Sequence, residues 1–266
     1  MNHEKSAELK RIARGKMIGN YGTAIGAYLI QTLISLVISL IVSSTVDTYT
    51  VSGMLIYIAV VIIVNLIMIT LAVGELTIYL NIACGNKAKS SDVFKGVSLH
   101  PDKSIILGIL VGIRIYIWVV PSIVALVIYY CTESIGTILA FGVLGIVGTI
   151  KAVYVECELS QCFYILLDFP DYSITEIMDV SKQMMKGHVG EYFYITCSFI
   201  PLSLLGLLSI GIGMLFIYPY IKMTMTEYYL DLIKRKNNPV GSNFDEVISE
   251  RLDGHVGIGE EISRSE

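Results

Sequence analysis

The sequence predicts an all-α, polytopic integral membrane bundle of six transmembrane helices, with both termini on the inner side and short amphipathic helices at the interface. Three observations predict it. Of 266 residues, 54% are hydrophobic and 16% charged, with a mean hydropathy of +0.68, whereas soluble domains carry about 25% charged residues. Runs long enough to cross roughly 30 Å of hydrocarbon recur along the chain. Lysine and arginine collect in alternate connections and are missing from the others, which is the positive-inside pattern.

Residues 1–20 form a basic segment in which Lys5, Lys10, Arg11, Arg14 and Lys16 accompany Leu9, Ile12, Ala13 and Met17 at helical spacing. It is expected to lie as an amphipathic helix on an anionic membrane surface. A membrane domain follows over 21–233. Its first span, about 21–43, is too long for the apolar region of a cleavable signal and is expected to stay as an anchor. The second, 54–82, is long enough to tilt or to project past the interface. The third, 105–130, contains Pro121, tolerated as a kink. The fourth, 135–155, carries Gly136, Gly142, Gly145 and Gly148, which with Gly22/Gly26 and Gly108/Gly112 allow close helix approach.

Asp168 to Gly187 reads as a short amphipathic helix. Ser173 and Glu176 form a capping box, Ile174, Ile177, Val180, Met184 and Met185 share a face, and Gly187 is a natural stop. A weaker counterpart, Ser90 to Gly96, sits between the second and third runs.

The apolar stretch from Tyr192 to Ile221 spans 30 residues, about 45 Å of helix, too long for one upright crossing and too short for two full ones. Charge decides between them. The segments Ser44–Gly53 and Cys131–Ser134 hold no Lys or Arg, and a single crossing would strand Lys222, Lys234, Arg235 and Lys236 outside with them. A turn at Ser209–Gly213 gives two spans, about 192–208 and 214–233, and returns these residues inside. The alternative is a five-span bundle beside an external amphipathic helix. From 237 to 266 a polar, mobile cytoplasmic tail is expected, with a short helix near Phe244–Leu252.

Ionisable groups within spans are costly and are the candidate functional residues. Counted along straight helices, Arg114 lies about 14 Å and Glu75 about 10 Å from the inner ends of their runs. The two are expected to pair, either to fix helix register or to form a substrate or ion site. Lys151, Tyr154, Glu158 and Gln161 are spaced as one polar stripe at the inner mouth of the fourth helix. Lys222 and Glu227 fall within the last span, which Pro219 should bend.

No phosphate-binding loop, H-E-x-x-H or G-x-S-x-G motif is present, so no enzyme is predicted. Nor does anything call for a cofactor, metal or nucleic acid. The five cysteines lack C-x-x-C or zinc-ligand spacing and read as small buried hydrophobes. Asp168 and Asp171 flank Pro170 and read as a turn and cap. The one partner implied directly is the lipid bilayer; membrane-protein partners stay unspecified.

The segments "SQCFYILLDFPD", "SKQMMKG", "SFI", "GIG", "PY" and "EYY", in order from Ser160 to Tyr229, resemble an uncharacterised bacterial multi-pass membrane family catalogued as domain of unknown function 975. The first half matches in hydropathy and in the basic "ARGK". Pro201 and Leu202 stand where that family has Gly-Trp. The resemblance implies a six-span helical bundle in a bacterial plasma membrane and no assigned activity. Two functions remain open: a scaffold or accessory protein in envelope or transport function, or a small-molecule or lipid permease with Arg114, Glu75, Lys222 and Glu227 lining a cavity.

Overall fold

A computed structural model describes residues 3–45 and 50–235. The tail over 237–266, with the helix expected near Phe244–Leu252, lies outside the described residues. Among those described, all regular structure is helical: α1 (His3–Met17), α2 (Tyr21–Thr45), α3 (Val51–Ala83), a 3-10 turn (Ser90–Phe94) leading into α4 (Lys95–Ser98), α5 (Pro101–Tyr116), α6 (Val120–Thr132), α7 (Ile135–Glu158), α8 (Cys162–Asp168), α9 (Ile174–Met185), α10 (Val189–Cys197), α11 (Ile200–Leu208) and α12 (Met214–Lys234).

Four stretches are long and apolar enough to cross a membrane: Tyr21–Thr45, Val51–Ala83, Ile135–Asp168 and Val189–Leu208. A fifth results if Ser90–Ser98 and Pro101–Tyr116, bent by 89°, act as one. The protein is therefore an all-α, multi-pass membrane protein with four to five candidate spans by length and composition among the described residues. α12 is not among them, because Lys222, Glu227 and Asp231 interrupt its apolar residues.

Two expected spans are broken where proline follows. The run 105–130 divides into α5 and α6, with Pro121 in the first turn of α6. The run 192–208 divides into α10 and α11, with Pro201 in the first turn of α11. Proline removes a backbone donor and disfavours helical geometry in the residue before it, so a new helix starts there.

The helices form two layers. In the apolar layer, α3 from Val51 to Ile67, α6, and α7 from Ile135 to Ile150 expose large aliphatic side chains almost all round. In the packed layer, α3 from Thr70 onward and α12 from Met223 onward are enclosed by other helices. Alternate helix ends are tied together here. Lys16 Nζ donates to the Ala83 carbonyl at the end of α3 (2.6 Å), and Ser90 Oγ to Thr23 near the start of α2 (2.9 Å). Lys103 at the start of α5 donates to the Pro170 carbonyl, and Ser181 Oγ to Glu158 at the end of α7 (2.7 Å). Tyr228 on α12 donates to the His188 carbonyl before α10 (3.1 Å). The long second run thus projects into the packed layer, which explains its length.

α1 departs from its expected place. Leu9, Ala13 and Met17 are buried against protein instead of lying on lipid, and the helix packs across α12 and α3. The Ser90–Ser98 segment wedges against α3 where two glycines meet. A Cβ on Gly96 would fall 2.0 Å from the Thr70 carbonyl oxygen, and one on Gly74 1.9 Å from that of Val93. The amphipathic α9 forms as expected, capped by Ser173 Oγ and Glu176. It ends at Met185, two residues before Gly187, whose φ of 83° favours glycine.

Candidate functional site

The expected pair does not form. Glu75 is 1% exposed, and its carboxylate accepts from the Tyr218 hydroxyl (3.0 Å) and the Tyr79 hydroxyl (3.3 Å). Among the described ion pairs none joins it to Arg114, which lies exposed on α5. The error came from taking the start of the apolar run at 105 as the membrane boundary, whereas Ser104 and Leu107 there are fully buried in the packed layer. Trp118, in the break after α5, packs on Gly148 of α7, and Arg114 lies one turn further toward the packed layer. Lys151 is 16 residues from the far end of α7 and Glu158 is 23, about 24 and 35 Å along the axis. Arg114 faces this part of α7 in a shallow groove of about 400 Å³ lined also by Ile117, Trp118, Val155, Glu158 and Lys182. That is roughly one hydrocarbon thickness from the far end, not mid-depth.

Around Glu75 the packed layer holds a network of tyrosines. Tyr28 packs against Tyr218 in a tilted ring contact with centroids 4.4 Å apart, and Lys222 Nζ lies 5.4 Å from the centroid of the Tyr218 ring. Tyr164 shares a hydrogen bond with Thr226 (3.1 Å) and stacks on Tyr229 at 4.7 Å. Tyr229 in turn donates to Asp168 (2.6 Å). Phenol hydroxyls can serve a buried carboxylate without adding charge, so the network is polar, enclosed and held by α2, α3, α8 and α12 together.

Glu227 has a different partner. Its Oε1 lies 2.8 Å from Lys16 Nζ, with the glutamate side chain 8% and the lysine 35% exposed. Two residues read as lining one cavity are therefore separated: Glu75 bonds to tyrosines and Glu227 pairs with α1. The stripe on the fourth helix also divides. Lys151 is exposed with its Nζ 5.9 Å from the Trp118 ring centroid, and Glu158 lies in the groove. Gln161 lies beyond the end of α7, is 1% exposed and donates to Ser160 Oγ (2.7 Å).

A family model described as "Protein of unknown function (DUF975)" matches residues 1–236. The chain belongs to that family. No curated protein and no solved structure matches it. The DUF975 match runs through both layers and covers every described residue. Segments that carried the sequence resemblance meet in the packed layer of this DUF975 protein. Lys16 of "ARGK" pairs with Glu227 of "EYY", and Tyr229 of "EYY" bonds Asp168 of "LLDFP".

Sequence reasoning missed Tyr79, Tyr218, Lys16 and Trp118. Tyr79 stands four residues after Glu75 on the same helix face. The other contacts join residues more than 100 apart or cross a helix break, and no local pattern marks them.

Proposed function

We propose that this DUF975 protein is a non-enzymatic scaffold or accessory subunit of an envelope or transport assembly in a bacterial plasma membrane. Six apolar segments enter the bilayer, both termini lie in the cytoplasm, and the packed layer faces it. The observation that carries this reading is that the candidate charges are engaged separately: Glu75 with tyrosines, Glu227 with Lys16, and Lys222 near the Tyr218 ring. Arg114 sits apart in its groove.

The α10–α12 hairpin fits within this topology. From Tyr218, which touches Glu75, α12 extends only to Met214, whereas α3 runs from Glu75 back to Val51. These lengths are about 6 and 36 Å along the axes. The exposed tip, with Leu208 at 80% and Ile210 at 93%, dips into the bilayer and returns. Either that path or two full crossings leaves the end of α12 on the side of α1, where Asp231 pairs with Lys5 at 3.0 Å.

A permease is the second reading, and one observation favours it. A half-open groove of about 430 Å³, lined by Gln31, Thr32, Ser35, Ser39 and Met68, reaches Tyr28, whose ring packs against the Tyr218 that binds Glu75. Uptake of a metabolite panel into proteoliposomes separates the two. The scaffold reading expects flux equal to that of protein-free vesicles; protein-dependent uptake abolished by Glu75→Gln would establish the permease.

A further inference from the structure

Two cationic side chains without carboxylate partners stand at the groove between α5, α7 and α9: Arg114, which lines it, and Lys151, beside Trp118 at its edge. Among the described ion pairs neither Arg114 nor Lys151 takes part, while Lys182 is paired with Asp179 at 3.2 Å. Glu158 lines the same groove, with the Tyr154 hydroxyl facing its carboxylate. Trp118 is common to both: it lines the groove with Arg114, and Lys151 Nζ is 5.9 Å from its ring centroid. Next to the groove, Ile113, Ile117 and Ile150 are 55%, 58% and 64% exposed.

This combination has a specific chemistry. A guanidinium and an ammonium call for a phosphate oxygen, and an indole at the edge of an apolar layer marks headgroup level. The exposed isoleucines suit an acyl chain, which a soluble phosphate would leave uncovered. Basic pockets at this depth between helices are suited to anionic lipid headgroups. We infer that the groove binds one anionic phospholipid, its phosphate held by Arg114 and Lys151 beside Trp118 and one acyl chain lying along Ile113 and Ile117. The assignment holds whether the protein is a scaffold or a permease.

Trp118 is the only tryptophan in the chain, so its fluorescence reports on this groove alone. The experiment reconstitutes the full chain in phosphatidylcholine vesicles and measures quenching by acyl-brominated phosphatidylglycerol against acyl-brominated phosphatidylcholine. The phosphatidylglycerol is expected to bind at least about fivefold more tightly, the gain of one lysine or arginine at an anionic headgroup. Arg114→Gln with Lys151→Gln should bring the ratio to about one, and Arg114→Lys, which keeps the charge, should preserve most of it. Both side chains are exposed, so the variants should elute as the wild type does; if the double variant does not fold, Arg114→Gln alone must lower the ratio. A ratio near one in the wild type, or one unmoved by these substitutions, overturns the site. Excess glycerol phosphate should leave the ratio unchanged; if it removes the preference, the ligand is a soluble phosphate ester and the lipid assignment fails.

Discussion

Lys16 on α1 and Glu227 on α12 form an ion pair at 2.8 Å, and the same Lys16 ammonium donates to the Ala83 carbonyl at the end of α3. One side chain thereby joins three helices from the beginning, middle and end of the chain. It also compensates a nearly buried carboxylate while satisfying a helix end that has no intrahelical partner.

Breaking that pair from one side leaves Glu227 without its counter-ion. Removing a partner from a fully buried pair costs about 3–5 kcal/mol, and because Lys16 is about one-third exposed the expected loss for Lys16→Met is nearer 2 kcal/mol. Thermal unfolding in nanodiscs measures it. The double variant Lys16→Met with Glu227→Leu should lose less than the sum of the two single changes, and strict additivity would count against the coupling.

The contact of Gly74 with Gly96 is equally testable. Each Cβ would meet backbone near 2 Å, which no side-chain rotation relieves, so Gly74→Ala and Gly96→Ala should each cost about 3 kcal/mol or more. Gly142→Ala, with nothing within 4 Å of its Cβ, should be neutral or slightly stabilising. Yields of monodisperse protein and unfolding temperatures distinguish the three.

At Glu75 the direction of the effect depends on the replacement. Glu75→Gln keeps an acceptor for a tyrosine hydroxyl and should be mild. Glu75→Leu leaves the Tyr79 and Tyr218 hydroxyls without their shared acceptor, at about 1–3 kcal/mol for each buried group left unsatisfied. Equal unfolding temperatures for the two variants would show that the hydroxyls find other partners.

The cap of α9 gives a pH dependence. The Ser173 backbone N–H and side chain beside Glu176 hold its carboxyl below the ordinary value of 4.5. A lowered carboxyl contributes stability that is present above 4.5 and is lost as pH falls through the lowered value. Ser173→Ala should cost about 1 kcal/mol at neutral pH and flatten this acid-side slope; hydrogen exchange of the α9 amides at pH 6 and pH 3.5 follows it locally.

How much of this was legible in the sequence depends on the range of the interaction. The limits of α2, α3 and α7 follow from hydropathy, and α9 from Ser173, Glu176 and Gly187, because those signals are local. Arg114 was misplaced because its depth was counted from the start of the apolar run at 105, and that start is enclosed by protein, with Ser104 and Leu107 fully buried. The run that holds Lys222 and Glu227 reads as a span because enclosure by protein and enclosure by lipid select the same apolar residues. The Tyr218 bond to Glu75, 143 residues away in sequence, leaves no trace in periodicity.

The central claim is that the packed layer and both ends of the described chain face one compartment. Single cysteines at the exposed positions Arg11, Glu133 and Lys234, in a chain whose native cysteines are replaced, test it with a membrane-impermeant maleimide on intact cells. The account predicts labelling of Glu133→Cys from outside, and of Arg11→Cys and Lys234→Cys only after permeabilisation. Labelling of Arg11→Cys and Lys234→Cys from opposite sides of the membrane would contradict it.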